Sequence, residues 1–468
     1  MARNILLVEP SYPTKFPPLG LMKLSTYHKK MGDNVRFTKG QDSEALYEYW
    51  DRIYITTLFT FYWKATIEDI LFYKGIVHGD ITRVFVGGIM ASLMPQELWN
   101  QTGIRPITGV LNKPRVLGDN NKLIVDAMVP DYELIEESDI KYSLLDSYIG
   151  YSTRGCIHKC DFCGVPKLEP YFIDYRGLKP YVNEIEKKFG TKQHLVLFDN
   201  NILASKKFDQ IIKDIKDLGF EKEAKLNNKL RHVDFNQGTD ARLMKESHFK
   251  LLSQIAINPL RIAFDHIGLE KLYVNNIRRA ARYGIQNLSN YILYNFHDTP
   301  LELWKRLKIN IDLNKEYDLK IYSFPMKYIP INATDRTFID DPRWNWYFIR
   351  SVQRILNVTK GVVMPGQEFF YRAFGENEDE FLRILYMPED ILMRRGRKMG
   401  LEEQEWWDKF SKLTEHEKEE LVKILCENRT RSSLKKAATR TNNQKLKNLF
   451  ELYMPKNKDI YIEPLFEA

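Results

Sequence analysis

Tyr151-Ser152-Thr153-Arg154-Gly155-Cys156-Ile157-His158-Lys159-Cys160-Asp161-Phe162-Cys163-Gly164 holds three of the four cysteines in a chain of 468 residues. Three thiols packed this closely make a site rather than a scatter. Thiolate sulfur suits iron-sulfur clusters, and three such groups can hold three irons of a 4Fe-4S cube, leaving the fourth iron open to a ligand from outside the protein. A zinc site needs another ligand to close its tetrahedron, and His158, inside the loop, is the candidate for it. A disulfide framework is a poor reading, because four cysteines are too few to staple so long a chain.

Outward from this stretch, the chain is long enough for two or three domains, and its 44% apolar residues are ordinary for a protein with true cores. No stretch approaches the apolar length of a membrane span, and the run from Met1 to Glu9 turns polar too soon for a signal peptide. A cytoplasmic, reducing location without a membrane partner is expected. The formal charge of +8 is compatible with an acidic or nucleic-acid partner without requiring one.

The spacing Cys-x3-Cys-x2-Cys at Cys156, Cys160 and Cys163 resembles the signature of the radical S-adenosylmethionine (SAM) superfamily. In that family the open iron of the cluster chelates the amino and carboxylate groups of SAM, and an electron from the cluster cleaves SAM to a 5′-deoxyadenosyl radical. The resemblance implies that the three cysteines are the metal ligands and that Phe162, at the aromatic position before the third of them, lies near the adenine. It also implies an electron donor such as flavodoxin or ferredoxin.

Toward the N-terminus, Asn4 to Val8 is a short apolar run ended by Glu9-Pro10, and Leu21 to Met31 has a helical period stopped by Gly32. Asn34 to Thr38, Arg52 to Thr57, and Arg83 to Val86 with Gly87-Gly88 read as further strands. Strands alternating with helices predict an α/β, doubly wound, Rossmann-like sheet. Residues 1–115 resemble the cobalamin-binding domain that precedes many radical SAM domains, through Phe16-Pro17-Pro18-Leu19-Gly20-Leu21, Met31-Gly32-Asp33-Asn34-Val35 and Val84-Phe85-Val86-Gly87-Gly88. The Asp-x-His-x-x-Gly motif that supplies a histidine to cobalt elsewhere is absent, although radical SAM members can bind cobalamin without it. The alternative is a domain kept for substrate binding or packing. Residues 116–142 read as a linker, with the acidic run Glu133 to Asp139 as a solvated face.

The core domain is expected over 143–330, as the partial (β/α)6 barrel that the resemblance implies, with functional groups at the C-terminal strand ends. Tyr148 to Ser152 is its first strand. His194 to Phe198 is the second and empties into Asp199-Asn200-Asn201, groups able to accept from the ammonium of SAM or to cap a helix. A third strand from Val233 leads to Asn236, Gln237, Asp240 and Arg242, a set suited to hold SAM or substrate. Pro259 to Phe264 ends in Asp265, which stands where relatives carry a SAM-binding glutamate. Asn290 to Asn295 and Leu319 to Phe324 complete the six, and His266 and His297 are loop histidines that titrate near neutrality.

Residues 331–468 read as a mostly helical domain, in which the aromatic cluster Arg343 to Phe348 packs a core or stacks on a planar substrate. Arg429 to Lys447 carries Lys and Arg with no acids, so it is either plain polar helix or a surface for phosphate backbones. Cys426 alone remains, too few for an auxiliary cluster. The expected activity is that of a single-cluster radical SAM enzyme on an unidentified substrate. If cobalamin binds, methylation of carbon or phosphorus is the natural reaction. The alternatives are a nucleic-acid-binding protein with a structural metal site and a radical SAM enzyme that modifies RNA or DNA.

Overall fold

Short apolar runs punctuated by Pro and Gly become parallel strands when helices between them return the chain to the same sheet edge. In the computed structural model, which describes residues 2–454, β1 (Asn4–Glu9), α1 (Leu19–Lys30), β2 (Asn34–Lys39), β3 (Arg52–Thr57), α2 (Trp63–Ile76), β4 (Val84–Gly88), α3 (Ile89–Leu93) and α4 (Pro95–Thr102) follow one another in this way. Their sheet is parallel throughout, in the order β2-β1-β3-β4. Leu6, Val8, Ile53, Ile55 and Val86 share one buried core with Ile70 and Tyr73 of α2 and Leu98 of α4. Strand order reverses at β1 and β3, so the crevice where such sheets take ligands lies beyond their C-terminal ends. Gly88 ends β4 at φ +104, where a Cβ would lie 2.4 Å from the carbonyl oxygen of Thr57. Only glycine closes this turn without displacing β3.

In the segment expected as a linker, the acids Glu133, Glu136, Glu137 and Asp139 are exposed, and α5 (Glu133–Glu136) buries Leu134 and Ile135 on its other side. Then come β5 (Ser147–Gly150), α6 (Val165–Leu168), α7 (Leu178–Phe189), β6 (His194–Leu197), α8 (Phe208–Asp217), the small antiparallel pair β7 (Lys225–Leu226) and β8 (Lys229–Leu230), β9 (Val233–Phe235), α9 (Glu246–Leu252) and β10 (Leu260–Arg261). β5, β6 and β9 form a second parallel sheet in that order. Leu178, Val182 and Ile185 of α7 and Ile211, Ile212 and Ile215 of α8 are the buried stripes of these two helices. Everything so far belongs to one compact unit, Met1–Arg261 with Ile329–Phe338.

The other unit is Ile262–Tyr328 with Ile339–Ala468. It continues the alternation with α10 (Glu270–Arg282), β11 (Asn287–Tyr294), α11 (Pro300–Tyr317) and β12 (Lys320–Lys327). β11 and β12 pair in parallel from Asn287 with Lys320 to Tyr294 with Lys327, and Ile262 and Phe264 donate backbone hydrogen bonds to Ser289 and Tyr291 of β11. The strand expected at 259–264 is regular at β10 and is continued by this extension. The rest is helical, as expected: α12 (Trp346–Val358), α13 (Gln367–Phe374), α14 (Glu378–Leu385), α15 (Glu389–Arg394), α16 (Leu401–Phe410), α17 (Glu415–Glu427), α18 (Arg431–Arg440) and α19 (Gln444–Phe450). Trp344, Tyr347 and Phe348 are buried in one core with Phe370, Phe381 and Trp406, so the aromatic cluster serves packing. No helix among the described residues is long and apolar enough to cross a membrane.

Candidate cofactor site at the cysteine loop

The four residues of β5 are buried and deliver the chain to the loop at Tyr151. Asp199, just past β6, shapes the turn that follows. Its carboxylate accepts from the N–H of Ser152 at 3.0 and 3.1 Å, from the Ser152 hydroxyl at 2.7 Å and from the Thr153 hydroxyl at 2.6 Å, and it also takes the Thr153 N–H. Burial pushes this carboxyl up, against the pull of the bonds from Thr153 and Ser152. Both oxygens of Asp199 are thus engaged by the loop itself.

Gly155 follows with φ +74, and a Cβ there would lie 2.5 Å from the carbonyl oxygen of Tyr171. The close approach lets Arg154 and Ile173 exchange both backbone hydrogen bonds, at 3.0 and 2.9 Å. Glu169 fastens the same corner. It accepts from the Gly155 N–H at 2.5 Å and from Asn200 Nδ2 at 3.2 Å, and pairs with Arg154 Nη1 at 3.0 Å.

Beyond this corner Cys156, Cys160 and Cys163 are half-buried and free of disulfides. Nitrogen donors face their sulfur. The His158 N–H and Asn201 Nδ2 each lie 3.4 Å from Cys156 Sγ, and Arg242 Nη2 lies 3.9 Å from Cys160 Sγ. Such donors are suited to the outer shell of a sulfur-ligated metal site. Asn201 Oδ1 is buried and accepts no hydrogen bond, a deficit of about 1–3 kcal/mol for a buried acceptor. A ligand ammonium or hydroxyl would meet it.

Asp240 gathers the opposite side. It pairs with Arg242 at 2.8 and 2.9 Å, with His158 Nε2 at 2.8 Å, and lies 3.4 Å from Asn201 Nδ2. Burial works against its charge, but the hydrogen bonds of Arg242 outweigh it and hold the carboxyl below its usual range. His158 Nε2 lies 2.8 Å from an Asp240 oxygen, which leaves Nδ1 as the ring's other nitrogen. Among the described residues no three His, Cys, Asp or Glu side chains converge on one metal ion. A cube makes no such demand, since each thiolate binds a different iron. The donor set fits a cluster better than zinc.

The other residues singled out from the sequence lie as follows. Phe162 is half-buried on the loop, whereas Gln237 is exposed, with Nε2 3.3 Å from Asn236 Oδ1. Asp265 belongs to the other unit, where its carbonyl accepts from Arg306 Nη1 at 2.8 Å. There His266 Nδ1 accepts from the Gly268 N–H at 3.0 Å, and His297 pairs with Asp340 at 3.2 Å. Sequence reasoning missed Glu169 and the gathering of Lys23, Asp126 and Arg154 with Arg176. Asn201 was within reach, as the last residue of the Asp199-Asn200-Asn201 run.

A cavity of about 200 Å³ lies between α1, β3, β4 and the segment 107–126, and it extends to Tyr151 and Arg154 beside the loop. A parallel, switch-point sheet with a cavity on one side and a cysteine loop at the end of the next sheet is a fold similar to that of a solved radical S-adenosylmethionine methyltransferase. That neighbour is TsrM from Kitasatospora setae. Its structure with cobalamin and a 4Fe-4S cluster bound is 16% identical to this chain, covers 71% of it and 77% of its own length, and superposes with a TM-score of 0.50. Its structure with tryptophan substrate and the SAM analogue aza-SAM is 16% identical over 67% of this chain and 72% of its own, with a TM-score of 0.50. No protein-family model matches the sequence, and no curated protein matches it. At this identity the likeness establishes the fold.

Proposed function

We propose that this chain is a single-cluster radical SAM enzyme that modifies a small or macromolecular substrate, with methylation as its reaction if cobalamin occupies the N-terminal cavity. The division into a cobalamin-type domain at 1–115, a linker at 116–142, a radical SAM core at 143–330 and a helical domain from 331 is the functional division we adopt. The observation that carries the reading is the crowding of Asn201, Arg242 and the His158 N–H against half-buried thiols, beside a buried acceptor left unmet. When bound, the cluster would supply a reducing electron and an open iron for SAM, and cobalamin would supply a methyl carrier.

The chain's own residues do the rest. Cys156, Cys160 and Cys163 hold the cluster, Arg242 and Asn201 donate toward their sulfur, and Asn201 Oδ1 accepts from the amino group of SAM. Asp199 and Glu169 fix the loop, and Phe162 lies against the adenine. Gln237 and Asp265 stay candidates for cofactor contacts. An electron donor of the flavodoxin or ferredoxin kind, in the cytoplasm, is part of the reading.

Anaerobic reconstitution tests it. The wild type is expected to bind about four irons and four sulfides per chain and, with dithionite and SAM, to form 5′-deoxyadenosine. A variant with all three loop cysteines replaced by Ala is expected to do neither. Iron-free wild-type protein, or iron-loaded protein that leaves SAM intact, would overturn the proposal.

A further inference from the structure

The cavity beside the cysteine loop is lined mainly by apolar groups, including the stacked rings of Tyr54 and Phe85, whose centroids are 4.9 Å apart. Two buried cations interrupt that lining. The side chains of Lys23 and Arg154 are each 7% exposed. Lys23 Nζ donates to the Asp126 carbonyl at 2.7 Å and lies 3.6 Å from its carboxylate. Arg154 lies over the Tyr151 ring at 3.8 Å, donates from Nη2 to Asp126 at 3.0 Å and meets Glu169 through Nη1. Its Nε is buried and has no hydrogen-bond partner. Arg176 also bonds to Asp126.

Lys23, Arg154 and Arg176 are three cations, and Asp126 and Glu169 are two carboxylates, so this wall carries one positive charge in excess. Buried charge is expensive unless it is paired, and an unbonded guanidinium N–H adds to the cost. Both deficits are answered by one anion. An apolar slot with one anion-binding wall suits a ligand made of a flat apolar ring and a single acidic group.

We propose that Lys23 and Arg154 recognise a phosphate-class group on a ligand whose ring occupies the cavity beside Tyr54 and Phe85. The inference rests on the reading of this domain as a cobalamin site and assigns that site its anion-binding residue. The nucleotide tail of cobalamin has this chemistry, a benzimidazole ring on a ribose phosphodiester. So does a free nucleoside monophosphate. Lys23 is the residue to test, because Arg154 also shapes the cysteine loop.

Binding is measured anaerobically on reconstituted full-length protein, by absorbance and calorimetry, with hydroxocobalamin, with cobinamide, which lacks the nucleotide tail, and with AMP. Lys23→Met is expected to weaken hydroxocobalamin binding about ten- to a hundred-fold, the worth of a charged hydrogen bond, and to leave cobinamide binding unchanged. Lys23→Gln, which keeps a donor without the charge, is expected to fall between. Equal iron content in all three proteins separates loss of the contact from loss of fold. If Lys23→Met binds hydroxocobalamin as tightly as the wild type, the assignment of Lys23 is wrong and the cobalamin site stands. If the wild type binds AMP in a Lys23-dependent way and neither corrinoid, the anion pocket stands and the cobalamin reading falls. If none of the three ligands binds, both fall.

Discussion

Lys23 shows how one buried side chain can oppose stability in the service of a site. Burial, with Arg154 and Arg176 adding to it and Asp126 opposing, lowers its pKa from 10.5 to about 8. An unfolded chain would keep that proton up to the ordinary value. Between pH 8 and 10.5 the unfolded state therefore binds more protons, and stability rises with pH across this window. Below it the difference is constant and amounts to about 3 kcal/mol against folding. Lys23→Met is accordingly expected to melt higher than the wild type at pH 7, by a margin worth about 1–3 kcal/mol, and to lose the upward slope above pH 8. Thermal melts at fixed pH values read both, and a variant that melts lower at neutrality would contradict the account. At this scale the sequence was legible where chemistry is local. Cys156, Cys160 and Cys163 announce themselves by spacing, while the unmet oxygen of Asn201 and the excess charge around Asp126 depend on residues far apart in the chain.

Elements were easier to read than single roles, because each strand is a short apolar run with its own punctuation. β1, β5, β6 and β12 fall where such runs end in Pro, Gly or Asx. Two segments carry more detail than their runs disclose. The acids Glu133, Glu136, Glu137 and Asp139 are exposed as a solvated face, while Leu134 and Ile135 turn the other side of that segment inward as α5. The run at 259–264 is regular strand only at β10, and Ile262 and Phe264 continue it with backbone hydrogen bonds to β11. The β4 turn gives a direct test of packing at this scale. Gly88→Ala must bring a Cβ to 2.4 Å from a carbonyl oxygen at a left-handed φ, whereas Gly20 in α1 has nothing within 4 Å of the same position. Urea unfolding should show a loss of about 1–3 kcal/mol for Gly88→Ala and little change or a small gain for Gly20→Ala. Equal behaviour of the two would mean that the β3–β4 approach does not constrain the sheet.

For the whole molecule, the fold class was legible because two kinds of alternation succeed one another and, among the described residues, the only regular elements after β12 are helices. The compact units were not legible, since the boundary at Arg261 falls inside a single apolar run and the short segment Ile329–Phe338 belongs with the first unit. All three loop cysteines lie in that first unit. A ligand that binds only the folded chain stabilises it by mass action, about 4 kcal/mol at a thousandfold excess over its dissociation constant. Reconstitution with iron and sulfide should therefore raise the melting temperature, and Cys156→Ala should abolish the rise. Calorimetry under argon measures it, and an unchanged melt in iron-loaded wild type would count against a cluster held by the folded loop.

The corner ahead of Cys156 is fastened by oxygen and nitrogen alone, with Asp199 on Ser152 and Thr153 and Glu169 on Gly155. None of those fastenings involves sulfur, so the shape of this corner is held independently of whatever the thiols bind.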